Sequence, residues 1–205
     1  MNEAPTVTER DDGYVQDFSS LWVAYAVEAR SGERVYDMCA APGGKATAMA
    51  GSGATVIAAD RAAGRTRLVA ENVARLELDL PIVMADGTAP PFAPGTFDAV
   101  LLDAPCSGLG ALRRRADARW RITPADVVDL VVLQRRLLAS AGELVAPGGR
   151  LVYSVCTLLD AESIEHPTPD GFDVDDTEPP AGRWKRHRHG WRILPHDADT
   201  DGMVM

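Results

Sequence analysis

Little in this chain points to an anchor, a staple or a metal. Among 205 residues there are three cysteines, Cys39, Cys106 and Cys156, and an odd, scattered set of that size excludes a disulfide framework. No two of them stand at the close spacing of a zinc site, so no metal is expected. No apolar run nears the roughly eighteen residues of a membrane span. The polar opening, Met1 to Gly13, lacks the apolar core of a signal peptide. We therefore expect a soluble, cytoplasmic protein with no membrane partner. Cations are scarce as well: 21 Lys and Arg against 30 Asp and Glu leave a net charge of −9, an unusual balance for a protein that grips a polyanion. There is no Gly/Ser linker and no repeat. With 46% hydrophobic residues, 205 positions suffice for one well-buried domain and are short for two. The expected organisation is a loose tail over 1–13 and one domain over 14–205.

What the chain does have is an alternation of short apolar runs and amphipathic segments. Tyr14 to Arg30 reads as a helix, Arg34 to Met38 as a first strand, and Ala46 to Ala50 as a helix of small residues. Thr55 to Ala59 reads as a strand, Arg65 to Leu76 as a helix and Ile82 to Met84 as a third strand. The apolar run Phe97 to Leu102 has the length of a strand covered on both faces. Thr123 and Pro124 open a long helix towards Val145, and Arg150 to Val155 is the next strand. Beyond Asp160 a helix starts at Ala161 and is stopped by His166-Pro167-Thr168-Pro169, and 171–182 reads as a loop. Trp191 to Pro195 and Gly202 to Met205 read as two closing strands. Strands alternating with helices predict an α/β fold with a parallel sheet and helices on both faces.

The polar residues gather where the strands end. Asp60, Asp86 and Asp103 each follow an apolar run, at the edge where open α/β sheets bind ligands. Turn capping is the competing reading of each. Between the first strand and its helix lies Cys39-Ala40-Ala41-Pro42-Gly43-Gly44-Lys45, whose glycines let a backbone approach a ligand closely. Asp60, sixteen residues beyond Gly44, stands at about the distance at which an acid meets ribose hydroxyls in dinucleotide folds. A nucleoside-bearing cofactor follows. Cys106 and Cys156 arrive at one rim from the ends of two strands, whereas Cys39 alone could be a small buried hydrophobe. Two basic clusters, Arg113-Arg114-Arg115 with Arg119 and Arg121, and Arg183 to His189 beside Trp191, are candidate nucleic-acid contacts. An ordinary solvated face is the competing reading of both.

Three blocks, Asp37-Met38-Cys39-Ala40-Ala41-Pro42-Gly43-Gly44-Lys45, Leu102-Asp103-Ala104-Pro105-Cys106-Ser107-Gly108 and Tyr153-Ser154-Val155-Cys156-Thr157, resemble the signatures of the RsmB/NOL1/NOP2/Sun family of RNA cytosine-5 methyltransferases. The resemblance runs from Val15-Gln16-Asp17 to Asp201-Gly202-Met203 and leans towards the bacterial ribosomal RNA enzymes. It implies a Rossmann-like class I fold, S-adenosylmethionine as cofactor and RNA as substrate, most directly ribosomal RNA with a single-stranded or flipped cytosine. Cys156 is implied as nucleophile at carbon 6, Cys106 as the cysteine that assists release, and Asp103 as the residue near N3 of the base that also touches the cofactor. Cofactor contacts carry over to Cys39, Ala40, Ala41, Pro42, Gly43, Gly44, Lys45, Asp60 and Asp86, with Arg65 as a further candidate. Family members of this type carry an additional amino-terminal RNA-binding region that this sequence does not show. A monomer served by a separate RNA-binding partner is therefore the expectation. Two alternatives stand beside it: a shortened paralogue that binds cofactor or a ribosomal partner without turnover, and a DNA cytosine-5 methyltransferase, in which the cysteine after proline is the nucleophile.

Overall fold

The computed structural model describes residues 7–205. Its centre is a five-stranded parallel sheet made of β3 (Arg34–Asp37), β4 (Thr55–Asp60), β5 (Ile82–Met84), β6 (Phe97–Asp103) and β7 (Val145–Ser154), in the order β5-β4-β3-β6-β7. The chain leaves β3 towards β4 and β5, then returns to place β6 on the other side of β3. That reversal makes the β3/β6 boundary a topological switch point, where a crevice opens beyond the strand ends. Successive residues of each strand serve opposite faces. Val35, Ala58, Ala99 and Leu101 join one core cluster with α1 (Phe18–Ala26), α2 (Gly44–Ala50) and α3 (Ala63–Arg75). Tyr36, Ala59, Val100 and Leu102 join the other, against Leu137, Leu138, Ala141 and Leu144 of α5 (Pro124–Leu144), which follows the short α4 (Ala118–Arg121). Cover on both faces is why β6 is a continuous apolar run rather than an alternating one.

Two expectations need correction, and one further strand was not anticipated. The described part of the expected loose tail is ordered, with β1 (Val7–Glu9) pairing antiparallel to β2 (Val15–Asp17). Arg10 also donates to Gly44 O (2.9 Å) and Thr47 Oγ1 (3.1 Å) at the start of α2. The rest of the expected tail, 1–6, lies outside the described residues. The helix expected from Tyr14 begins only at Phe18, because Asp17 is its cap, accepting from Ser19 N at 2.9 Å. Lys185 to His187 of the second basic cluster form that strand, β8, paired with β9 (Gly190–Ile193), while α6 (Pro195–Ala198) separates β9 from β10 (Met203–Val204). The two expected closing strands are β9 and β10. β10 is buried and joins the main sheet through an antiparallel bridge between Val155 and Val204. Asp17 fastens this end, since its Oδ2 accepts from Asp201 N (3.1 Å) and its Oδ1 from the Thr200 hydroxyl.

No described helix is long and apolar enough to cross a membrane.

Candidate active site

The three blocks singled out in the sequence meet at the carboxyl edge of the switch point. β3 ends in Asp37, and the chain then turns through Cys39 to Gly43 into α2. Ala40 N donates to Ala59 O at 2.8 Å, tying the turn to β4. Gly43 sits at φ +108°, a left-handed conformation that a side chain would strain. The turn delivers Lys45, whose ammonium lies 2.6 Å from Oδ2 of Asp103 at the end of β6. Ser154, at the end of the neighbouring β7, donates to the other oxygen of Asp103 at 2.9 Å. Adjacent strands thus hold Asp103 in a fixed orientation.

The two thiols beyond β6 and β7 converge. Cys106 Sγ and Cys156 Sγ are 3.4 Å apart, although fifty residues separate them in sequence. Their environments differ in sign. A hydrogen bond from Cys106, with help from the Lys45 charge, draws the Cys156 pKa below the usual thiol value against the opposing effect of burial. The same hydrogen bond, with burial, pushes Cys106 well above it. When one proton is lost from the pair, Cys156 is the thiolate and Cys106 keeps the proton. Burial alone would lower the Lys45 pKa, but Asp103 and Asp37 outweigh it, so this buried amine stays an ammonium. Cys39 is pushed upward by burial and the nearby carboxylates, which makes it an inert thiol.

Of the other expected ligand-binding residues, Asp60 is already engaged. Its Oδ1 accepts from Ala62 N (3.2 Å) and its Oδ2 from Arg65 Nε (2.9 Å), while Arg65 also donates to Ala41 O (3.1 Å). Arg65 therefore braces Asp60 against the glycine turn. Asp86 lies just beyond β5, half exposed, and caps its own turn by accepting from Thr88 N (2.9 Å) and Thr88 Oγ1 (2.8 Å).

Three features of the site lay outside the sequence reading. Asp37 is buried, neither of its carboxylate oxygens has a hydrogen-bond partner among the described residues, and burial, against the pull of the Lys45 charge, lifts its pKa to about 7. Gly110 donates to Cys156 O (2.9 Å) and accepts from Gly202 N (2.9 Å); an added Cβ there would lie 2.1 Å from Gly202 O. Only glycine permits that approach, which clamps Cys156 between the loop after β6 and the strand β10. The third is a buried cluster around Glu162. Asp37 stood within a signature block, but nothing in sequence marks Gly110 or Glu162: Gly110 meets Cys156, 46 residues away, and Glu162 gathers Ser107 and Gln134, 55 and 28 residues away, together with the nearby Thr157.

The basic clusters are largely neutralised. Arg113 pairs with Asp199, Arg114 with Asp201 and Arg121 with Asp117, while Lys185, Arg186, His187 and Arg188 pair with Asp197, Asp176 and Asp160. Arg119 is instead placed over the ring of Trp120, which is 78% exposed.

A parallel sheet in this order, with acids and thiols at its switch point, defines a Rossmann-like class I methyltransferase fold. The family model described as 16S rRNA methyltransferase RsmB/F matches residues 24–205, and the chain belongs to that family. Its sequence is 41% identical over 93% of its length to a probable ribosomal RNA small subunit methyltransferase B of Synechocystis, covering 46% of that protein. It is 46% identical over 73% of its length to a putative methyltransferase of Mycobacterium tuberculosis, covering 34% of it. Among solved structures, NSun6 from Pyrococcus horikoshii, determined with SFG, superposes with a TM-score of 0.83 at 28% identity, over 98% of this chain and 55% of that one. The chain spans about half or less of the length of the curated relatives it matches.

Proposed function

We propose that this chain transfers a methyl group from S-adenosylmethionine to carbon 5 of a cytosine in RNA, with small-subunit ribosomal RNA as the substrate, acting in the cytoplasm as a monomer. The observation that carries the reading is the pair of thiols 3.4 Å apart beside the Lys45–Asp103 ion pair, an arrangement that lowers the Cys156 pKa and raises that of Cys106. A carbon 5 methylation through a covalent adduct needs one sulfur to attack, and a second thiol beside it can assist the later release. Cys156 adds to carbon 6 of the base, forming an S–C bond and making carbon 5 nucleophilic. When bound, S-adenosylmethionine supplies the electrophilic methyl group. After transfer the carbon 5 proton passes to water, the electrons of that C–H bond restore the C5–C6 double bond, and the S–C bond breaks to return the Cys156 thiolate, with Cys106 assisting that release. Asp103, fixed by Lys45 and Ser154, orients the base near N3.

The residues of the crevice fit the cofactor on one observation in particular. Asp37 presents a buried, unpartnered carboxylate beside the glycine turn, and a cationic ligand there would supply the missing partner and favour its ionised form. Cys39 to Lys45, Asp60 and Asp86 would line the same molecule, Asp60 sharing its oxygens with Arg65. The family match and a structural neighbour solved with a cofactor analogue support this assignment. A flipped or unpaired cytosine is implied, since neither thiol can reach a stacked base.

The direction of the thiol polarisation speaks against the DNA-type arrangement, in which the cysteine after Pro105 would attack. The test is direct. Cys156→Ala abolishes tritium transfer to ribosomal RNA and covalent trapping on 5-fluorocytosine RNA, whereas Cys106→Ala accumulates the trapped complex. The reverse pattern overturns the assignment. Calorimetric binding of S-adenosylmethionine without transfer to any RNA would mark a non-catalytic paralogue instead.

A further inference from the structure

Behind the two thiols lies a carboxylate that the reaction does not use. Glu162, in a single 3-10 turn after β7, is 0% exposed, and its two oxygens receive donors from three separate segments. Oε1 accepts from Ser107 N (2.8 Å) and from Gln134 Nε2 of α5 (3.2 Å). Oε2 lies 2.5 Å from Ser107 Oγ and 2.8 Å from Thr157 Oγ1. The two hydroxyls are themselves 2.9 Å apart. With two hydrogens for three contacts, they either both donate to Glu162 or one donates to it and the other to its neighbour; the carboxylate receives a hydroxyl in every arrangement.

These partners are the residues that flank the cysteines. Ser107 follows Cys106, and Pro105, which precedes it, gives its carbonyl to Gln134 Nε2 at 2.8 Å. Thr157 follows Cys156. Cys106 is thus held on both sides and Cys156 on one, and all three holds meet at Glu162 or at the amide bound to it. Tyr153 strengthens the anchor by donating to Glu162 O at 2.6 Å, and His166 Nε2 lies 3.1 Å from Gln134 Oε1. A carboxylate with no cation partner among these contacts is costly to bury, and a fully connected network is what makes such burial tolerable.

We propose that Glu162 is the positioning residue of this site: it locks the loop after β6 to the loop after β7 and so sets the distance between the two thiols. The inference rests on the reading of Cys156 and Cys106 as the reacting pair. A nearby sulfur donor stabilises the Cys156 thiolate only while the 3.4 Å spacing lasts. The other charged groups facing Cys156 are Lys45 on α2, Asp103 on β6, Asp201 just before β10, and Arg114, which follows β6 and is paired with Asp201. Glu162 makes no hydrogen bond to any of these. Its loss therefore acts on the spacing of the thiols and leaves their other neighbours in place.

The experiment is the pH profile of Cys156 alkylation by iodoacetamide in the full chain, resolved from Cys39 and Cys106 by peptide mass spectrometry, together with steady-state methyl transfer. For Glu162→Ala the alkylation midpoint rises by about one pH unit. On the same variant kcat falls about tenfold or more, while KM for S-adenosylmethionine stays within about twofold. Glu162→Gln restores most of both, because the amide oxygen can accept from Ser107 N and Gln134 while its NH2 donates to the two hydroxyls. Should Glu162→Ala not fold, the Ser107→Ala/Thr157→Val double variant removes both hydroxyl links and is read the same way. A midpoint unchanged from wild type in a folded variant overturns the inference, whatever the activity does. The titration needs no turnover, so absence of methyl transfer by the wild-type chain would sink the proposed function and leave this test standing.

Discussion

A buried ammonium, Lys45, is paired with Asp103 at 2.6 Å and helps lower the pKa of Cys156, the sulfur proposed to attack. Removing it as Lys45→Met leaves Asp103 with Ser154 as its remaining partner and takes away the positive charge that helps keep Cys156 ionised. The expected result is a Cys156 alkylation profile displaced to higher pH and loss of methyl transfer by about a hundredfold or more. Asp37 gives a second test at this scale. Its folded pKa, about 7, lies above the ordinary aspartate value of 3.8, so the fold binds a proton that the unfolded chain releases. That contribution to stability is fully present below the unfolded value and is lost as pH rises towards and through 7. In the absence of cofactor, Asp37→Asn should therefore melt at a higher temperature than wild type at pH 8, with the gap closing at pH 4 to 5. An equal gap at both values would show that the carboxylate is already ionised in the fold. Neither effect could be anticipated from the residue names. Asp37 is a strand-end acid like Asp60, and only the absence of a partner such as Arg65 separates them.

Secondary structure followed the sequence where elements are long or doubly covered. β6 announced itself because both its faces are buried, and α5 because its cap is chemically explicit: Thr123 Oγ1 accepts from Asp126 N (3.3 Å), while Asp126 accepts from Thr123 N (2.8 Å). Thr123→Ala should cost about 1 kcal/mol in urea unfolding. The elements that escaped notice, β1, β2, α4, β8 and α6, have three or four residues each, too few to display a period. What stabilises them is remote. β1 lies on β2, and Arg10 just beyond it reaches α2. Arg150 on β7 does the same at the opposite edge of the sheet, donating to Val27 O (2.7 Å), Glu28 O (2.7 Å) and Glu33 Oε1 (2.9 Å). Arg150→Ala should lower stability by about 2 kcal/mol, because several partly buried acceptors lose a charged donor together. Cofactor affinity should hold within about twofold, since these contacts lie at the amino ends of the strands.

Across the whole molecule, the proposed function requires an acidic chain with a net charge of −9 to meet RNA through a small part of its surface. The ion pairs of Arg113, Arg114 and Arg121 leave the Arg119–Trp120 stack as the conspicuous exposed feature of the first cluster. Trp120→Ala should weaken RNA binding about tenfold, the order of one lost base stack, in a fluorescence titration at fixed salt. An unchanged affinity would place the RNA elsewhere. Sequence alone determined the alternation of strands and helices, the parallel sheet, and the identity of the acids and cysteines at strand ends, because periodicity and turn chemistry are local. It could not reveal that the arginines are already paired, that Asp60 belongs to Arg65, or that Glu162 and Gly110 hold Cys156 in place. Those outcomes depend on which side chains lie across from one another once the chain has folded, often between residues far apart in sequence, or on a choice among several nearby acids. Only the packed sheet brings such partners within hydrogen-bonding distance, and only there does burial make their charge decisive.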